Sequence, residues 1–256
     1  MRVLVLLLTT ALATVPLRAQ APGTTRWADS LAVLIEAAVE RGDPAAFGPA
    51  IALADRVLTV TPADGAILHY KGYALYRQAT LLINAANRPD DAGKVLEEAA
   101  DLFTRSAAIL PWPETPALHA SVLGQQIALG GVIAGMRLGG RADDLFAQAI
   151  RLGPDNPRVL MLRGISALFK PRMFGGGSDK ARADFQRAVD LFPKQAPAPG
   201  APRWGHAEAW AWLGQAHAAE KDPAAARVAY ARAMELHPDY AWVRDQLLPA
   251  LDKVKR

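Results

Sequence analysis

The 34 residues Ala207–Tyr240 read AEAWAWLGQAHAAEKDPAAARVAYARAMELHPDY, and their spacing decides the fold. Trp210, Leu213 and His217 fall three and four residues apart, on one face of a helix. Gly214 is small where a second helix can cross, and Ala226 is its expected counterpart on that helix. Tyr230 and Ala233 continue the buried face. Asp222-Pro223 supplies a helix N-cap followed by a first-turn proline. Pro238 comes where the second helix must stop, because proline cannot prolong it. The stretch therefore predicts two apolar-faced helices folded back as a hairpin.

Working outward, the same series recurs. Upstream lie Leu160, Gly164, Ala167, Ala181, Phe185, Ala188 and Pro193. Before them come Leu129-Gly130, Ala142, Phe146, Ala149 and Pro154. Earlier still are Leu68, Gly72, Leu75, Ala99, Phe103 and Pro111, with Ser106 in an alanine place. The first unit keeps Ala50, Ala54, Pro62 and the helix start Asp43-Pro44; Thr115-Pro116 and Asn156-Pro157 are two further starts. We therefore expect hairpins at about 27–62, 65–111, 116–154, 157–193 and 207–240, closed by a polar-faced capping helix over 239–255.

Counted from Ala207, the residues Trp210, Leu213, Gly214, Ala226, Tyr230, Ala233 and Pro238 stand at positions 4, 7, 8, 20, 24, 27 and 32. This resembles the tetratricopeptide repeat, with His217 at position 11 in place of the usual aromatic. The resemblance implies an all-α chain, an α-solenoid of about five hairpins, and a non-catalytic scaffold or adaptor for another protein or peptide. Such stacks usually bind on the concave face, lined by the first helix of each hairpin. Here it implies a groove of Tyr73, Tyr76, Arg77, Met161, Ile165, Leu168 and Gln215.

Composition agrees. Alanine accounts for 52 of the 256 residues and hydrophobic residues for 51%. Alanine loses no side-chain entropy in a helix and lets helices approach closely, which disfavours a β fold and disorder. No cysteine is present, which excludes a disulfide framework, thiolate zinc, an iron–sulfur cluster and a cysteine nucleophile. Met1 to Ala19 holds Arg2 and Arg18 and no acid; without it 27 basic residues face 25 acidic ones. So balanced a chain has no electrostatic footprint for nucleic acid.

The N-terminus reads as an address. Arg2 precedes the apolar run Val3–Val15, which Pro16 breaks ahead of Ala19. The run is too short to span a bilayer, which takes roughly 20 residues, and its order is that of a secretory signal peptide. We expect residues 1–19 to be removed, with Gln20 first in an exported, periplasmic or secreted chain. The other apolar stretch, Ala117–Leu138, carries His119, Gln125, Gln126 and Arg137, so no stable membrane insertion is expected there.

Few residues suggest chemistry. Phe174-Gly175-Gly176-Gly177 is glycine-rich, but Lys180 lies outside the spacing of a phosphate loop and no strand precedes it. We read it as an inter-helix turn, with Ser178 capping the next helix, and keep it as a candidate ligand-contacting loop. From Lys170-Pro171 to Lys180-Ala181 the segment resembles repeat proteins that accompany tripartite periplasmic transporters. That resemblance implies an alternative role, carriage of a small hydrophobic ligand. Those proteins are typically lipid-anchored, and no cysteine here could take the anchor. His69, His119, His206, His217 and His237 form no metal-ligand motif, so neither metal nor cofactor is expected. Pro193–Pro202 reads as a stiff spacer between hairpins.

Overall fold

The computed structural model describes residues 22–253, so the expected signal segment lies outside the described residues. Those residues form helices joined by short turns, with no strand among them. The first hairpin pairs α1 (Pro22–Arg41) with α2 (Gly48–Val60), and the second α3 (Gly65–Asn84) with α4 (Pro89–Ala107). The span α5 (Glu114–Leu152) is itself a hairpin, because Gly131 breaks it with φ 64° and ψ −149°. The fourth hairpin is α6 (Pro157–Phe169) with α7 (Ser178–Leu191), and the fifth α8 (His206–Ala219) with α9 (Pro223–Leu236). Each helix packs mainly on its neighbours in the chain, as in an α-solenoid.

Capping explains most of the helix starts. Asp64 Oδ1 accepts from the amides of Ala66 (3.0 Å) and Ile67 (3.2 Å). Asn156 Oδ1 does the same for Arg158 and Val159, and Asp222 Oδ1 for Ala225. These orphan amides lie at the starts of α3, α6 and α9, where a side-chain acceptor contributes about 1 kcal/mol. Two expected caps are not used as such. Thr115 sits inside α5, its hydroxyl 2.8 Å from His69 Nδ1. Ser178 is the first helical residue of α7, and Gly177 takes the cap position.

The hairpin crossings correct one expectation. Gly214 faces the ring of Tyr230 and not Ala226. A Cβ at Gly72 would lie 2.9 Å from the Phe103 ring, and one at Gly164 2.6 Å from the Phe185 ring, with Gly214 closer still to Tyr230. The glycine thus makes room for the large aromatic of the partner helix, which fills the crossing. Ser106, in its alanine place, stays buried by donating to the carbonyl of Gly65 at 2.7 Å.

The third hairpin departs from the expected register. Residues 65–70, 115–120 and 157–162 are all buried, each run followed by a half-buried residue and then Gly72, Val122 or Gly164. Val122 therefore holds the small-residue place, and Gly130-Gly131 forms the turn. Glu114–Leu152 is long and apolar enough to cross a membrane by length and composition. Reversed at Gly131, it is two antiparallel helices instead.

At the C-terminus the capping element begins with a π-helical turn at Trp242–Leu247 and ends as α10 (Leu248–Lys253). Pro249 has no amide to give and its ring pushes on the preceding turn, which widens the helix there. Tyr230, Ala233, Val243, Leu247 and Leu251 form a small end core beneath it.

Candidate functional site

The inner side of the curve is filled by the protein itself. After α7 the proline-rich residues 195–205 fold back as a strap. The Gly200 amide donates to Asp29 Oδ1 of α1 at 3.0 Å, and Arg203 lies 3.8 Å from the same carboxylate. Trp204 stacks on Tyr73 of α3, ring centroids 4.6 Å apart and 15° from parallel. The segment read as a spacer is therefore a tie between the fourth hairpin and the first two. Further round, Arg77 Nη1 of α3 donates to both carboxylate oxygens of Glu208 in α8, at 3.0 and 2.8 Å. His237 Nε2 after α9 lies 3.1 Å from Glu40 Oε1 of α1. These contacts join the fifth hairpin to the second and to the first, which are not its neighbours in the chain.

This locates the expected groove residues. Tyr73, Tyr76 and Met161 are buried; Arg77, Ile165, Leu168 and Gln215 are half-buried. Tyr73 meets Trp204 of the strap, and Tyr76 lies against Ser121 and Gln125 of α5, so both form core and not an open floor. Burial also pushes both phenol pKa values up, keeping the hydroxyls neutral.

The candidate loop is explained by its backbone. The amides of Phe174 and Gly176 donate to Pro171 O, that of Gly175 to Arg172 O, and that of Gly177 to Ala167 O. With every one of these amides spent internally, the loop cannot cradle a phosphate. Gly175 (φ 90°) and Gly177 (φ 142°) hold left-handed conformations, and any Cβ at Gly176 would collide with Lys170 O. Phe174 and Met173 point into solvent.

A polar cluster that sequence reasoning missed lies beneath the strap. Arg158, at the start of α6, is 3% exposed, and Glu114, at the start of α5, is 4% exposed. Arg158 Nη1 is 2.5 Å from Gln195 Oε1 and 3.7 Å from Glu114 Oε1. Asn156 Nδ2 donates to that same Glu114 oxygen at 2.8 Å. The guanidinium also sits 5.4 Å over the Phe192 ring and 5.9 Å over Trp204. Burial pulls the Arg158 pKa down while Glu114 pulls it up. An arginine starts so high that it stays charged.

Beside it, His69 packs edge-on against Trp112, Tyr70 and Phe103. Burial, helped by the Arg158 charge, lowers its pKa to about 3, so the ring is neutral. Arg158 Nε, His69 Nε2, Tyr70 Oη and Trp204 Nε1 are buried with no hydrogen-bond partner among the described residues. Four such groups in one cluster are unusual, since buried polar atoms are nearly always satisfied. A pocket of about 420 Å³ opens here, with Glu114 and Arg158 in its lining and Trp112, Pro197 and Pro202 as apolar walls. Lys194 is exposed at its edge. The one available signal was Arg158 itself, a charge at a position the pattern marks as inward-facing.

The arrangement sets a buried charge in the lining of a pocket with apolar walls. Among the described residues, no group of three or more His, Asp or Glu side chains could hold a metal ion. No described serine stands against a histidine base.

No family model matches the sequence, and no curated protein does. Solved structures do resemble it. The HusA haemophore from Porphyromonas gingivalis superposes with a TM-score of 0.64 at 23% identity, over 78% of this chain and 96% of that one. TTC0263, a thermophilic TPR protein of Thermus thermophilus, gives 0.60 at 18% identity, over 89% of this chain and 98% of that one. With the glycine–aromatic crossings and helical hairpins, these likenesses define the class: the chain has the tetratricopeptide-repeat fold.

Proposed function

We propose that this chain is an exported, non-catalytic helical-repeat scaffold that binds a segment of another protein in the pocket beneath the strap. The observation that carries the reading is Arg158, a buried guanidinium with an unpartnered Nε, in the lining of an open pocket. A carboxylate or backbone carbonyl of an extended segment pairs with the guanidinium at the pocket wall, and charge-assisted bonds of this kind are the strong ones. Trp112 and the strap prolines offer flat walls for its side chains. Export rests on the order Arg2, Val3–Val15, Ala19, and is checked by an intact mass that begins at Gln20.

The binding test uses a partner captured from an envelope extract, titrated against wild type, Arg158→Lys and Lys194→Glu. Arg158→Lys keeps the charge and loses the planar fork. The reading expects affinity to fall at least about tenfold in Arg158→Lys, the worth of one charge-assisted bond. Unchanged affinity in both variants would place binding elsewhere.

A second reading, carriage of a small apolar ligand, is favoured by the pocket's size, about 420 Å³, which lies in the range of small-molecule sites. The chain also shares its fold with a haemophore. Native mass spectrometry separates the two, because a carrier retains an apolar molecule through purification and a scaffold does not.

A further inference from the structure

Consecutive hairpins place all their internal turns on one edge of the solenoid, and two of these turns are built unlike the rest. In the third hairpin Val132, Ile133 and Met136 are 80%, 76% and 76% exposed, with Leu129 and Gly130 beside them also open to solvent. The cause is a difference in length. Lys170, at the end of α6, meets Asp143 of α5 at 2.5 Å. Val132 lies eleven residues nearer the turn than Asp143, about 16 Å of helix at 1.5 Å per residue. The fourth hairpin ends near Asp143, so the tip of the third projects past it with that flank uncovered. The fourth turn adds Met173 and Phe174, 83% and 65% exposed on the same edge.

The charges nearest these side chains are positive. No acid occurs from Thr115 to Ala142, while Arg137 and Arg141 follow Met136 on the exposed surface. Neither arginine has a carboxylate within ion-pair distance among the described residues. The cations of the fourth turn are already paired, Lys170 with Asp143 and Arg172 with Asp179 at 3.7 Å, so the free charge on this edge is that of Arg137 and Arg141. Exposed apolar groups at a projecting tip, followed by two unpaired arginines, fit a surface that is apolar beneath and anionic at its face. The turn of the second hairpin, Asn84 to Asp91, is small and polar by contrast and carries two acids.

We propose that this edge docks on an anionic lipid bilayer, with Val132, Ile133 and Met136 entering the headgroup region and Arg137 and Arg141 meeting the lipid phosphates. The helix pair does not span the bilayer. Gly131 reverses the chain, and the exposed tip is far shorter than the roughly 20 residues that a crossing needs. The inference stands apart from the pocket beneath the strap, which lies toward the opposite edge, where α5 and α6 begin.

The test is vesicle co-sedimentation with the chain from Gln20 onward. It retains every described element and lacks the apolar run Val3–Val15, which would bind lipid by itself. The probes are vesicles of phosphatidylcholine alone and of phosphatidylcholine with phosphatidylglycerol. Wild type should sediment with the anionic vesicles, lose most of that binding in about 0.5 M salt, and ignore the neutral ones. Val132→Ser/Ile133→Ser/Met136→Gln should weaken binding at least tenfold with an unchanged melting temperature, since these side chains are mostly in water already. Arg137→Gln/Arg141→Gln keeps the apolar tip and should weaken binding several-fold, on anionic vesicles alone. Wild type that ignores both vesicles, or a triple variant that binds like wild type, overturns the proposal. So does a wild-type dimer in sedimentation velocity that the triple variant abolishes without any vesicle binding, which would make the tip a contact between copies.

Discussion

The inner side of the solenoid and its turn edge treat large apolar side chains in opposite ways. Inside, Tyr73 and Met161 are covered by the strap, and Tyr76 by α5, all of the same chain. On the edge, Val132, Ile133 and Met136 are covered by nothing among the described residues. The difference is one of chain length. Eleven residues of strap give the inner aromatics a lid, whereas the short fourth hairpin leaves the third without a neighbour at its tip. An inward position in a repeat is therefore not an available one, and the surface left for partners is set by insertions more than by the repeat.

The contrast breaks most visibly at Tyr73. Tyr73→Ala removes a buried ring and its stack with Trp204, and should cost about 3–5 kcal/mol, read by denaturant melts. A cost below about 1 kcal/mol would mean that the inner side is open after all.

A similar loss should follow acidification. His69 and His119 are buried and neutral, their pKa values lowered by burial to about 3 and about 4 from an ordinary value of 6.5. Below pH 6.5 the unfolded chain takes up protons that the folded chain refuses, so stability falls as pH drops. Between about pH 7 and pH 5 each histidine should remove about 1–2 kcal/mol. His69→Gln/His119→Gln should flatten that slope, and an equally steep slope in the double variant would assign the loss to other groups.

Smaller effects belong to the crossings. Gly214→Ala pushes a methyl into the Tyr230 ring and should cost about 1–3 kcal/mol, more than Gly72→Ala at the looser Phe103 crossing. Thermal melts that rank the two the other way would mean that the Tyr230 ring yields more easily than that of Phe103. Smallest of all, Val132→Ser on the edge should change stability by less than about 0.5 kcal/mol. A large loss there would show that the tip is covered.

The last hairpin was the most legible part of the chain, because its aromatic, glycine and proline landmarks are all intact and its connection is short. The third hid its register. Val122 occupies the place where a glycine was sought, and the real glycines, Gly130 and Gly131, serve the turn. Of the expected groove residues, Tyr73, Tyr76 and Met161 are buried, because periodicity within a helix says nothing about what another segment lays over it. The strap escaped for that reason, since residues 195–205 have no period and only their contacts with Asp29 and Tyr73 reveal them. The Arg158 cluster depends on the strap's Gln195 and Trp204, so it was hidden with it.

The strap closes the inner side by seating Trp204 on Tyr73. A double-mutant cycle with Tyr73→Leu and Trp204→Leu measures that contact directly. The stacked geometry predicts a coupling of about 0.5–1.5 kcal/mol between the two substitutions. Additivity within about 0.3 kcal/mol would contradict it, and would leave the concave side open for a partner.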